Sequence, residues 1–275
     1  MPTVEGAKTI RIAAAGDIHC APSNCGQIEQ AFAGLQGEAD LVLLAGDLTT
    51  HGRPEQAAVL VDACRGLAVP VFAVLGNHDW HADRGAEVID VLVSGGVRLL
   101  EREWAVCDVA GVRVGVVGTK GFVGGFPDSE LPDFGEPLLR QVYAETTAEV
   151  EALERGLEAV AGCQLRIVLM HYAPVSATLE GERQTIWPFL GSARLAEPIL
   201  RHEPDLVLHG HAHAGTFEGS LGAVPVYNVA VPVMGRDFWI FELEGGTESP
   251  RAHPDIHVES EPAELPADIR ARTRP

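Results

Sequence analysis

The chain repeatedly enters a short apolar run and leaves it on a small residue and a polar cluster. The runs are "IRIAAAGDIH" (10–19), "DLVLLAGDLTTHG" (40–52), "VPVFAVLGNHDWH" (69–81), "LRIVLMHY" (165–172) and "DLVLHGHAH" (205–213). Short β-branched or alanine-rich runs bounded in this way predict buried strands. Between the early ones, "CGQIEQAFAGLQ", "RPEQAAVLVDACRGL" and "GAEVIDVLVSGG" carry helical spacing, with Pro54 placed for a helix start. Strand, helix, strand in that order predicts an α/β layered fold with every polar cluster at a strand C-terminal end. "WAVCDVAGVRVGVVGT" predicts two strands around an Ala110-Gly111 turn, so the sheets are mixed, and "PVYNVAVPVMGRDFWIFEL" predicts late antiparallel strands. From about 121 to 137 the chain is rich in glycine, proline and acid, a lid-like segment, and "PLLRQVYAETTAEVEALERGLEAVAG" then predicts a long amphipathic helix. Residues 1–245 are thus expected to form one domain. The Pro- and acid-rich stretch 246–275 is expected to be a poorly ordered tail.

Composition narrows the partners. With 275 residues and 46% hydrophobic content the chain can bury a sizeable core. Lys and Arg number 20 against 39 Asp and Glu, a formal net charge of −19, which argues against a nucleic-acid polymer or an anionic membrane surface. The start has no basic region followed by a long apolar one, and no run approaches a membrane span, so a cytoplasmic protein is expected. Cys20, Cys25, Cys64, Cys107 and Cys163 are an odd, scattered set without a CxxC pair, which predicts reduced thiols.

The candidate chemistry is collected at the strand ends: Asp17, His19, Asp47, Asn77, His78, His171, His211 and His213. In an extended segment residues i and i+2 share a side, so Asp17 and His19 are expected to hold one ion together. Carboxylate, amide and imidazole ligands suit Mn, Fe or Zn. Even without one of these eight, the set is too large for one tetrahedral ion and suits two ions sharing a carboxylate.

In this order, "GDIH", "GDLTTHG", "GNHD", "MHY" and "HGHAH" resemble the five motifs of the calcineurin-like metallophosphoesterase superfamily, over about three-quarters of the chain. The resemblance implies two packed mixed β-sheets flanked by helices, a four-layer sandwich, and a hydrolase. It implies Asp17, His19, Asp47 and His213 as ligands of a first metal ion and Asp47, Asn77, His171 and His211 as ligands of a second, with Asp47 the bridge. It further implies in-line attack by a hydroxide held between ions roughly 3.5–4 Å apart, with His78 catalytic as acid or transition-state stabiliser rather than as a ligand. Several members place an aspartate three residues after the bridging one, where it orients that histidine. Here the position is Thr50, and Asp79 is the nearest substitute, so a less activated His78 is expected. The charge balance favours a small phosphate ester over nucleic acid, and the "GDIH…GNHD" spacing and compact size, which resemble the superfamily's small bacterial phosphodiesterases, imply a phosphodiester, including cyclic nucleotides, ahead of a phosphomonoester. A metal-loaded scaffold without turnover is the reading from another class.

The remaining polar residues are weighed individually. His209 is expected to be a buried histidine hydrogen-bonded behind the site. His51 reads equally as pocket wall or solvated loop, His81 as an exposed loop histidine, and His202, His253 and His257 as surface residues. Asp40 and Asp205 fit turn or cap roles. Lys120 reads equally as a phosphate ligand or a snorkelling lysine, with Arg183 and Arg236 weaker candidates of the same kind. Trp187 and Phe189 could line a base or ring pocket, but core packing is the reading expected for them.

Overall fold

The computed structural model describes residues 8–245. The expectation of a tail over 246–275, and His253 and His257 with it, lies outside the described residues. The elements in chain order are β1 (Lys8–Ala15), α1 (Cys25–Ala33), β2 (Leu41–Ala45), α2 (Pro54–Cys64), β3 (Val71–Val74), α3 (Gly85–Ser94), β4 (Arg98–Leu99), β5 (Glu103–Val109), β6 (Val112–Gly118), α4 (Pro137–Ala159), β7 (Leu165–Leu169), α5 (Ala196–His202), β8 (Leu206–His209), β9 (Glu218–Leu221), β10 (Val224–Asn228), α6 (Val231–Met234) and β11 (Trp239–Gly245). One sheet runs β11-β1-β2-β3-β4 and the other β5-β6-β7-β8-β10-β9.

Period-two packing explains why the strands read as continuous apolar runs. In β2, Leu41, Leu43 and Ala45 join the core between the sheets, where Ile10, Ile12, Val114, Val116, Ile167 and Leu208 also lie. Val42 and Leu44, on the opposite face, join Phe32, Leu60 and Leu92 from α1, α2 and α3. The second sheet repeats the arrangement, with Val168 and Val207 packed against Leu153 and Leu157 of α4 and Ile199 of α5. A strand covered on both faces has no solvent side to mark with polar residues. The layers are therefore helix, sheet, sheet, helix, as expected.

The Ala110-Gly111 turn forms with φ of 51° and 80°, the left-handed pair that a two-residue hairpin requires, and joins antiparallel β5 and β6. The late strands differ from a simple hairpin. β10 pairs parallel with β8 and antiparallel with β9, whereas β11 crosses to the other sheet and runs antiparallel to β1 from Lys8↔Gly245 to Ala14↔Trp239. Between β6 and α4 there is no regular element, and the proximal half of this segment is tied down: Gly124 N donates to Pro188 O and Gly125 N to Gly191 O. Among the described residues no helix is long and apolar enough to cross a membrane. All five cysteines are free thiols.

Just beyond β4, Glu101 accepts from Leu75 N at 2.7 Å and clamps the exit of β3. Burial pushes its carboxyl up from 4.5 to about 7, against the pull of the Leu75 bond. An acid whose pKa rises on folding adds stability below its unfolded pKa and loses it as pH rises through the folded one. Glu101→Gln keeps the acceptor without the charge. It is expected to stabilise the fold by about 1–2 kcal/mol near pH 8 and to do nothing near pH 4. Urea unfolding at both pH values checks this, and an equal effect at the two would exclude ionisation as the cause.

Candidate active site

The central strands of both sheets end on one edge of the sandwich, and the polar clusters gather there. Asp17 and His19 follow β1, Asp47 follows β2, Asn77 and His78 follow β3, His171 follows β7, and His211 and His213 follow β8. The backbone is not extended at these points. Asp17, His19, Asp47 and His211 have φ of 57°, 45°, 49° and 71°, the left-handed region that costs a non-glycine residue free energy. The shared side of Asp17 and His19 thus comes from two left-handed residues rather than from a two-residue strand repeat. The neighbouring glycines clear the space. A Cβ at Gly76 would strike Asp47 Oδ1, and one at Gly210 would strike Asp17 Oδ2.

Two ligand groups result. Asp17, His19, Asp47 and His213 offer donor atoms all within 4.8 Å of one another, and so do Asp47, His171 and His211. Asn77 Oδ1 joins the second group, 3.0 Å from His171 Nε2. Asp47, 1% exposed, belongs to both: its Oδ1 lies 3.4 Å from His171 Nε2 and its Oδ2 3.9 Å from His19 Nε2.

The hydrogen bonds behind the rings test whether this set suits cations. His171 Nδ1 lies 2.9 Å from Ala45 O and His211 Nε2 3.1 Å from Phe189 O. A carbonyl only accepts, so these nitrogens carry the protons and the opposite nitrogens are left for the site. In the neutral ring, His171 Nε2 then presents a lone pair to the oxygens of Asn77 and Asp47, an arrangement that a cation satisfies and a hydrogen bond does not. His19 Nδ1 is buried without a hydrogen-bond partner. Burial pushes the His211 imidazole down to about 3, which keeps it neutral. Burial opposes ionisation of Asp17, but the His213 hydrogen bond at 2.8 Å and nearby imidazoles outweigh it and hold the carboxyl below its ordinary range. The residues present fit two metal ions.

His78 is oriented by backbone. Its Nδ1 donates to Thr50 O at 2.8 Å, which turns Nε2 towards Asp47 Oδ2 at 4.0 Å. The Thr50 hydroxyl points elsewhere, donating to His19 O at 2.8 Å. Asp79 is not the substitute orienter: it is fully buried and accepts from Leu48 N, Thr49 N, the Thr49 hydroxyl and Gly76 N. The carbonyl that holds His78 is available whatever residue stands at 50. Thr50→Asp is therefore expected to bring no gain on esters of poor leaving alcohols. It should cost about 1–2 kcal/mol of stability by turning a carboxylate onto the His19 carbonyl. Rates on an alkyl and a nitrophenyl ester check this, and a gain confined to the alkyl ester would restore the side chain to the relay.

The other candidates land as follows. His209 is fully buried, with Nδ1 on Gly210 O and Nε2 on the Thr178 hydroxyl, both at 2.8 Å, as expected. His51 and His81 are exposed, with rings 5.7 Å apart, and the His81 ring is also 5.7 Å from that of His78. Lys120 is no surface snorkel: its ammonium lies over the rings of Phe122 and Tyr172, and the Tyr172 ring is 4.5 Å from that of His211. Arg236 stacks on Trp239, and Arg183 is exposed. His202 is half-buried and 2.7 Å from Glu154 rather than a plain surface residue. Asp40 and Asp205 pin strand starts, accepting from the backbone N–H groups of Arg11 and Arg166. Trp187 packs beside Phe126, but Phe189 is 59% exposed, contrary to the core role expected for it. Its carbonyl is needed at His211, and that placement leaves the ring outside. Sequence reasoning missed the roles of the Phe189 and Thr50 carbonyls, because a backbone acceptor has no residue signature.

Comparison with known proteins gives a consistent picture. A family described as calcineurin-like phosphoesterase matches residues 10–215. Purple acid phosphatase 4 of Arabidopsis thaliana is 28% identical over 151 residues, which is 54% of this chain and 42% of the plant protein. The chain thus spans less than half the length of that relative. Phosphopantetheinyl hydrolase (PptH) from Mycobacterium tuberculosis superposes with a TM-score of 0.63 at 16% identity, covering 89% of this chain and 98% of its own. The protein TT1561 of Thermus thermophilus does so with a TM-score of 0.55 at 18% identity, covering 87% of this chain and all of its own.

Proposed function

The chain belongs to the calcineurin-like phosphoesterase family, whose members are metal-dependent hydrolases, and from that premise we propose that it hydrolyses a small phosphodiester at a dinuclear metal site. The observation that carries this reading is the division of the two Asp47 oxygens between two ligand groups. Asp17, His19, Asp47 and His213 would hold one ion, and Asp47, Asn77, His171 and His211 the other, with Mn, Fe or Zn suited to the mixed oxygen and nitrogen set. Bound there, the ions supply a water nucleophile at neutral pH and stabilise negative charge developing on the phosphoryl oxygens.

The protein's own residues do the rest. The Ala45 and Phe189 carbonyls fix which nitrogen of His171 and His211 faces the site. His78, with Nδ1–H on Thr50 O, has only Nε2 left to offer, so a proton carried there would be donated into the site. As the new P–O bond forms from water, the ester P–O bond breaks with its electron pair on the alcohol oxygen. That oxygen takes the Nε2 proton, the proton lost by water passes to solvent, and solvent returns a proton to Nε2 before the next turnover.

The charge inventory supports a diester over a monoester. Lys120 and Arg236 are engaged on aromatic rings, which disfavours either as a dedicated clamp for a dianionic phosphate. A singly charged diester needs only the two ions. The test is turnover of nitrophenyl mono- and diesters by apo protein refilled in turn with Mn, Fe, Zn, Mg or Ni. A higher kcat/KM for the diester is expected. A monoester preference would overturn the diester assignment, and silence with every metal despite two bound ions would overturn the enzymatic one.

A further inference from the structure

A row of imidazoles leads out of the site. The His19 ring is 4.7 Å from that of His78, His78 is 5.7 Å from His81, and His81 is 5.7 Å from His51. The first ring belongs to the ligand set and the second is the candidate acid. The last two are exposed and have no role in holding ions or in donating the proton.

Their juxtaposition is built rather than incidental. His51 comes from the loop after β2 and His81 from the loop after β3, thirty residues later. Gly52 lies where a Cβ would meet the carbonyl oxygens of Asp79 and His78 at 2.5 and 3.0 Å, so the two loops approach at a point only glycine tolerates. Gln56 Oε1 accepts from His51 N at 2.9 Å and fixes the His51 backbone.

The surroundings favour an anion. Arg53 is exposed next to His51 and Gly52, and it precedes α2, an eleven-residue helix whose first turn has no side-chain cap. The positive end of that helix therefore lies just after His51 in the chain. The acid of that turn, Glu55, has Arg84 at 3.9 Å. Two imidazoles at this separation can each donate to a different oxygen of one phosphoryl group at an ordinary distance of about 2.9 Å.

Position along the row supplies the rest. On the hydrolytic reading the reacting phosphate would be held between the two ligand groups, and His78 would mark the side on which the alcohol departs. Beyond His78 lies whatever the alcohol carries. We propose that His51 and His81 form a leaving-group subsite that selects substrates whose departing alcohol bears a second phosphate or phosphonate. The proposal rests on the hydrolytic reading above and adds the substrate class to it.

The test compares three methyl nitrophenyl phosphodiesters, whose leaving phenol is unsubstituted, carries a phosphonomethyl group or carries a neutral benzyl group. The readout is the ratio of kcat/KM values within each chain. In the Mn-loaded native protein the phosphonylated ester is expected to be favoured about tenfold over the plain one, chiefly through KM. In the His51→Ala/His81→Ala double variant the ratio should fall to about one. A native ratio near one, or a tenfold ratio that survives in the variant, would overturn the subsite. An equal gain from the benzyl group would show stacking in place of anion recognition and would overturn the phosphate assignment. If no ester turns over, the hydrolytic reading fails, and calorimetric binding of methyl 4-(phosphonomethyl)phenyl phosphate to the same two chains decides the subsite separately. Weaker binding by the double variant upholds it, and equal binding refutes it.

Discussion

Asp47→Asn is expected to lower phosphoesterase turnover by roughly 10³-fold or more and to reduce bound metal from two ions per chain to one or none. The substitution is nearly isosteric, and asparagine tolerates the left-handed φ of 49° that Asp47 adopts. Oδ1 accepts from His78 N at 2.8 Å, a bond the amide oxygen can keep. What disappears is the charge and one of two acceptor oxygens. Oδ2 faces His19 and Oδ1 faces His171, so a neutral amide can serve one ligand group but must turn an NH₂ to the other. The fold should therefore survive while the metal content falls. Metal analysis after dialysis, together with circular dichroism, separates these effects. Two retained ions with full turnover would remove Asp47 from the centre.

Asp79→Ala is expected to cost about 3–5 kcal/mol of stability, a loss as large as breaking a buried ion pair. Asp79 is fully buried beside the site. Its carboxylate accepts from Leu48 N at 3.1 Å, Thr49 N at 2.8 Å, the Thr49 hydroxyl at 2.6 Å and Gly76 N at 2.8 Å. One side chain thus joins the loop after β2 to the loop after β3. Burial pushes the carboxyl up to about 6 even against these donors. Alanine leaves three backbone N–H groups without that acceptor, each at a cost of about 1 kcal/mol or more. The Asp79→Asn variant should lie between the two, since one oxygen remains. Urea unfolding measures the loss, and a change below about 1 kcal/mol would mean that water replaces the carboxylate.

Much of this arrangement is readable in the chain itself. The seven expected ligands converge because each ends an apolar run, and parallel strands bring their C-terminal ends to one edge. The hairpin at Ala110-Gly111 and the helices α1 to α4 are legible from turn residues and helical spacing. Other features carry no local signal. The left-handed backbone at Asp17 and His211 depends on the neighbouring motif being in place, and the carbonyls behind His78 and His211 belong to no residue type. β9, with one fully packed apolar residue in four, and the seven-residue α5 are too short for periodicity to show. Phe189 departs from expectation because aromatic content argues for burial, whereas here the ring follows where its carbonyl must go. The partner of β11 is equally hidden, since pairing across the whole chain leaves no nearby trace.

That last pairing governs the order in which the molecule can be completed. β1, which leads into the first site motif, is made before every other described strand, and its antiparallel neighbour β11 is the last of them. Until β11 emerges, β1 has β2 on one side and an open edge on the other, next to five exposed motifs rich in histidine and carboxylate. A nascent chain in that condition can pair its edge with another copy or capture stray metal ions before the site is shaped. Completion of this sheet thereby waits for β11, and a chain truncated within β11 would accumulate as aggregate rather than as a slow enzyme.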